Sequence, residues 1–173
     1  MNTKNNKRRQ ATRKSIEKVF IELLQKKEIT QITVSNICKI TGYNRSTFYA
    51  NYIDIYDLAD KIREKLETEI NELYGNDNFN NIGTDYLKLF KHIKDNQIFY
   101  NTYFKLGYDS KHTVDLGYLT QENMLFPKEH MKYHIEFHKS GLNTILKLWL
   151  SSGCRETPET MVKILQDEYT NRH

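Results

Sequence analysis

The sequence predicts an all-α protein of about nine helices. Three observations predict it. Apolar residues recur at helical spacing almost throughout, no stretch alternates with the period of a strand, and only two prolines and seven glycines interrupt 173 residues. Proline and glycine are the residues that most disfavour a helix interior, so long helical runs survive here. At 38% hydrophobic and 28% charged, the chain carries enough apolar material for a core.

A first helix follows from Ile16, Val19, Phe20, Leu23 and Leu24, which form one stripe. Two short helices come next, Val34 to Ile40 and Arg45 to Tyr49, separated by Thr41-Gly42-Tyr43-Asn44. Thr33 is placed to cap the first and Asn44 the second, each by accepting from an orphan backbone N–H. Val34, Ile37 and Cys38 give the first of them an inner face that Ile40 closes. Gly42 stands where the tight turn needs a positive φ. A long helix then carries Ile55, Leu58, Ala59, Ile62, Leu66, Ile70 and Leu73 and stops at Gly75. Residues 76–81 read as a linker.

Beyond the linker, Tyr86 to Ile93 and Ile98 to Leu106 read as two helices broken at Asp95-Asn96. A further helix is expected between Gly107 and Phe126. Pro127 suits the first turn of a long helix reaching Leu150, whose buried side is marked by Ile135, His138, Leu142, Ile145, Leu146 and Trp149. Gly153 can end that helix through a left-handed conformation. Thr157-Pro158-Glu159 restarts one with a hydroxyl cap, a proline at the first position and an acid at the positive end of the dipole.

Charge divides the chain more sharply than composition does. Residues 1–50 carry a net charge of +8 and residues 51–173 a net of −4. Lys4, Lys7, Arg8, Arg9, Arg13 and Lys14 precede the first apolar stripe with no acid among them. A basic tail is often only solvated, but this one leads into two helices with the layout of a helix-turn-helix. The second has no broad apolar face, and its first turn offers Arg45, Ser46 and Thr47, which can hydrogen-bond base edges. Phe48 turns to the core, whereas Tyr49 and Tyr52 offer hydroxyls to phosphates. The expected partner is double-stranded DNA, through Arg8, Arg9, Arg13, Thr33, Asn44, Arg45, Ser46, Thr47, Tyr49, Asn51 and Tyr52.

Other classes find no support. No apolar run reaches the roughly 20 residues of a membrane span, and residues 1–14 lack the apolar core of a secretory signal. Cys38 and Cys154 are too few and too far apart for a disulfide scaffold or a zinc finger. The expected location is the cytoplasm. No phosphate-binding glycine loop, dinucleotide fingerprint or nucleophile elbow occurs, so neither an enzyme nor a cofactor is expected. His130, His134 and His138 lie one turn apart and can face one ion, but no cysteine or tight acid cluster completes a ligand set, although Glu129 and Glu136 lie nearby, and no metal is assigned.

The run from Thr33 to Tyr49, followed by Tyr52 and Leu58, resembles the TetR family of bacterial transcriptional regulators. Gly42, Thr47, Phe48, Tyr49, Tyr52 and Leu58 match its pattern over about residues 10 to 65. Asn51 stands where histidine is common, and Ile55 where a phosphate-contacting lysine is usual. Phe137 to Leu142, Leu148-Trp149-Leu150 and Gly153-Cys154 are similar to a subgroup typified by an activator of a dihydroxyacetone-kinase operon. The resemblance implies a DNA-binding domain over 1–52 and a helical effector-binding and dimerisation domain over 53–173. It also implies a ligand-responsive regulator, expected to repress.

One recognition helix spans too few base pairs for specificity in a genome, so a homodimer on a palindromic operator is expected. Its seam is assigned to Leu142, Ile145, Leu146, Trp149, Met161, Ile164 and Leu165 on the last two helices, with Gly141 allowing close approach. An unknown small-molecule effector is expected among Phe90, Tyr100, Tyr103, Phe104, Tyr118, Tyr133 and Phe137, because aromatic residues supply an apolar wall with polar handles. The alternative is a body signalled by a partner protein.

Overall fold

The computed structural model describes residues 3–74, 82–107 and 128–170. Among them are eight α-helices and two short 3-10 turns, with no strand. The fold is all-α, as expected. The linker at 76–81, Pro127, and the helix expected between Gly107 and Phe126 lie outside the described residues.

Two compact units divide the chain, Met1–Leu66 and Glu67–His173. In the first, α1 spans Thr3–Leu24. The basic segment expected ahead of the first helix is thus the opening of that helix. Its Lys, Arg, Gln and Ala residues are good helix formers, and no glycine or proline interrupts them. Ile16, Val19, Phe20 and Leu24 are buried along its inner stripe.

Helix α2 covers Val34–Thr41 and α3 covers Arg45–Tyr49. Thr33 caps α2 reciprocally: its Oγ1 accepts from the Asn36 N–H and its own N–H donates to Asn36 Oδ1, both at 3.2 Å. Gly42 ends α2 at φ 73° and donates to the Cys38 carbonyl. A Cβ there would meet open space, so the glycine is needed for its backbone angle and not for room. Ile37 is buried, but Ile40 is 56% exposed and does not close the inner face. It sits in the last turn of α2.

Helix α4 runs Ile55–Tyr74. Ile55, Leu58, Ala59 and Ile62 are buried, and Lys61 Nζ lies 5.3 Å from the centre of the Tyr52 ring. The opening of α4 therefore belongs with the first unit, and the division between compact units falls within this helix, further along than residue 52.

In the second unit, α5 (Ile82–Asp95) and α6 (Gln97–Leu106) are followed by a 3-10 turn at Lys128–His130, α7 (Met131–Ser151) and α8 (Pro158–Thr170). Leu89, Phe90 and Ile93 of α5 are fully buried, as are Leu106 and Leu146. Phe90 meets Trp149 edge to face, with ring centres 5.3 Å apart. Gly153 (φ 75°) and Cys154 (φ 53°) turn the chain out of α7. The Cys154 N–H donates to the Trp149 carbonyl at 2.9 Å, and its buried side chain holds a backbone angle that a non-glycine residue rarely adopts. Thr157 Oγ1 accepts from the Thr160 N–H at 3.2 Å and caps α8.

Candidate nucleic-acid interface

Helix α3 is anchored on one side and open on the other. Phe48 is fully buried, with its ring centre 5.7 Å from that of Tyr49 and 5.6 Å from that of Tyr52. Arg45 and Ser46 face outward, Thr47 is half-buried and Tyr49 is 55% exposed. A helix this short gains little from packing its polar side, so that side is available to a partner.

Asn44 occupies the position before α3 but makes no side-chain cap. Its carbonyl instead accepts from the Thr47 and Phe48 N–H groups, and its exposed amide is left to face outward. That corrects the capping role expected for it.

Tyr52 corrects the sequence expectation further. Its hydroxyl does not point to solvent but donates to Glu17 Oε1 at 3.0 Å, and the residue is 2% exposed. Arg13 and Lys61 lie over its ring at 5.7 and 5.3 Å. Burial, against the lowering effect of Arg13, pushes the phenol up to about 12. Tyr52 and the half-buried Arg13 therefore join α1 to the start of α4. Nothing in the sequence marks Glu17 and Lys61, which complete this cluster, because each sits in an ordinary charged helix position.

At the start of α4 two carboxylates take up backbone N–H groups. Asp54 Oδ1 accepts from the Asp57 N–H at 2.8 Å, and Asp57 Oδ2 accepts from the Ile53 N–H at 2.9 Å and from Lys61 Nζ at 2.8 Å. Lys61, and after it the Ile53 N–H, hold the Asp57 carboxyl below its usual range. With Ile55 buried, this helix end offers no lysine to a phosphate.

Cations come instead from the opening of α1. Lys7 and Arg8 are exposed. Arg9 is exposed too, but its guanidinium reaches the end of α3: Nη2 donates to the Ala50 carbonyl and Nε to Asn51 Oδ1, both at 3.3 Å. Asn51 Nδ2 donates to the Thr47 carbonyl at 2.9 Å. Thr33, exposed, lies at the start of α2.

In the second unit the expected effector residues separate. Phe90, Tyr100 and Tyr103 are buried and Phe104 is half-buried, with Lys147 Nζ 5.5 Å from its ring centre. Tyr133 and Phe137 are 64% and 66% exposed on α7, so these two do not line an enclosed pocket with the others. Tyr118 lies outside the described residues. The polar handles sit elsewhere. Tyr86 Oη is 2.6 Å from His138 Nε2, and Tyr100 Oη is 2.7 Å from His92 Nδ1. Burial lowers both imidazoles, His138 to about 4, and raises the Tyr86 phenol. Held neutral, the His138 ring shares one hydrogen bond with the Tyr86 hydroxyl, its direction set by the imidazole tautomer. Nothing in the sequence marks Tyr86 for this role, since its partner lies 52 residues away.

The expected seam residues also separate. Leu142, Leu146, Trp149, Met161 and Leu165 are buried within the subunit's own core, Ile145 is half-buried, and Ile164 is exposed. Burial of the first five needs no second copy. Apolar spacing cannot tell a core face from a seam, which is why the sequence assigned them to the seam.

A family model described as a transcriptional regulator C-terminal region, of the TetR class, matches residues 80–169. The chain belongs to the TetR family of transcriptional regulators. It is 33% identical over 103 residues to the HTH-type dhaKLM operon transcriptional activator DhaS of Lactococcus lactis subsp. lactis (strain IL1403). That match takes in 58% of this chain and spans about half, 53%, of the relative's length. A solved structure named dihydroxyacetone kinase operon activator DhaS shares the fold, with a TM-score of 0.50 at 21% identity, over 90% of this chain and 92% of that one. As a TetR-family regulator the chain is no enzyme. Among the described residues, no helix is long and apolar enough to cross a membrane.

Proposed function

We propose that this TetR-family chain binds a palindromic DNA operator as a homodimer, with Arg45, Ser46 and Thr47 of α3 reading bases in the major groove and Tyr49 offering its hydroxyl to a phosphate. The observation that carries the reading is α3 itself. Its back is fixed by buried Phe48 while its polar face is exposed beside the cationic opening of α1. Lys7 and Arg8 supply sequence-independent attraction to phosphates, and α3 supplies discrimination. Two copies placed about 34–36 Å apart, or a multiple of that, would read successive turns of the duplex. On the subunit's last two helices, exposed Leu148 and Ile164 with half-buried Ile145 are among the described apolar residues available to a second copy.

The relative from Lactococcus lactis is a transcriptional activator, which supports activation over the repression expected from sequence. The proposed signal enters through the second unit, where the Tyr86–His138 and Tyr100–His92 pairs supply polar groups among aromatic rings. A partner protein as the signal is the second reading, favoured by the exposure of Tyr133 and Phe137 on α7.

Selection of genomic fragments with the purified protein tests the proposal. Enrichment of one short palindrome, bound with a steep salt dependence, is the expected result. Recovery of no sequence above background at low salt would refute it. A reporter placed under the recovered site should lose expression when the gene for this chain is deleted.

A further inference from the structure

Helix α3 has five residues, too few to hold a helix by its own hydrogen bonds. Backbone N–H groups of Ala50, Asn51 and Tyr52 serve the Ser46 and Phe48 carbonyls. Side chains serve the Thr47 carbonyl and that of Ala50, the residue that ends the helix. Asn51 Nδ2 donates to the Thr47 carbonyl, and Arg9 Nη2 donates to the Ala50 carbonyl. Arg9 Nε meanwhile donates to Asn51 Oδ1, so the two side chains brace each other as well as the helix. A guanidinium can address two acceptors at fixed spacing, which the point charge of a lysine cannot do.

We infer that Arg9 and Asn51 are a positioning pair that sets the angle of α3, in place of the direct DNA contact expected of them. The inference rests on the reading of α3 as the base-reading helix. Base-edge hydrogen bonds weaken steeply with misalignment, whereas attraction to phosphates tolerates small displacements. Loosening the brace therefore costs operator affinity and spares affinity for random duplex.

The test compares Arg9→Lys, Arg9→Gln, Asn51→Ala and the Arg9→Lys/Asn51→Ala double variant in the full chain. Binding to a selected operator and to random duplex is measured across salt, alongside melting and amide exchange without DNA. Arg9→Lys and Asn51→Ala should each weaken operator binding about tenfold, the scale of one lost hydrogen bond to a charged group. Random-duplex affinity and salt slope should be unchanged, and the double variant should be no weaker than either single one. The Ala50 and Asn51 amides should exchange faster while those of α1 do not, which separates a local brace from general unfolding. The inference is overturned if Arg9→Lys binds as wild type while Arg9→Gln weakens both duplexes and lowers the salt slope by about one, the mark of a phosphate contact. Unchanged exchange in α3 would overturn it too. A wild-type chain that selects no operator would sink the base-reading assignment, leaving amide exchange to decide the brace.

Discussion

In the first unit, neighbouring aromatic residues face opposite ways: Phe48 and Tyr52 are buried, and Tyr49 between them in sequence is exposed. In the second unit, aromatic residues from distant segments converge instead, Tyr86 on His138 and Phe90 on Trp149. The first arrangement is set by a single helical turn. The second exists only once α5 and α7 have come together. A local arrangement gives a residue a role that its neighbours in sequence already specify, whereas a convergent one does not.

The strongest way to break this comparison is to remove the ring that anchors α3. Phe48→Ala should destabilise the first unit by about 3–5 kcal/mol, read by thermal unfolding, and abolish operator binding. Retained operator binding at normal stability would mean that α3 is held by something other than its core ring.

Next comes a pair of leucines on α7. Leu146→Ala should cost about 2–5 kcal/mol because the side chain is fully buried. Leu148→Ala, at a position 65% exposed, should alter unfolding of the monomer by less than about 0.5 kcal/mol and instead weaken self-association in sedimentation. Equal effects on stability would erase the distinction between core and seam.

Acid should separate the units. His138 is held neutral by burial, with its pKa lowered from 6.5 to about 4. The unfolded chain therefore takes up the proton first, and stability of the second unit should fall as pH drops through that window. His92 is shifted in the same direction. Denaturant unfolding of His138→Gln should show a shallower loss between those pH values. An unaltered slope would contradict the buried Tyr86–His138 pair.

A smaller effect is expected at Tyr52. Removing its hydroxyl in Tyr52→Phe should cost about 1 kcal/mol of stability through the lost bond to Glu17. The salt slope of DNA binding should not change, whereas a phosphate-contacting tyrosine would shift operator affinity at constant stability.

The same contrast explains what could be read beforehand. Thr33, Gly42 and Phe48 were legible because capping, turn geometry and helix facing are decided within a few residues. Ile40 and Asn44 show the limit even there, since a helix's last turn and a cap both depend on what lies beside them. Trp149 and Leu146 were legible as apolar but not as core, because a stripe that fits a partner helix also fits α5. The Arg9–Asn51 contact and the Tyr52–Glu17 bond join α1 to the turn between α3 and α4, and nothing in the local pattern marks them.

The account depends most on α3 as the reading element, and Arg45→Ala tests it most directly. Titrated against the selected operator and against random duplex at one salt concentration, the variant should lose about 1–3 kcal/mol of discrimination and keep its melting temperature. Discrimination equal to that of the wild type would contradict the assignment.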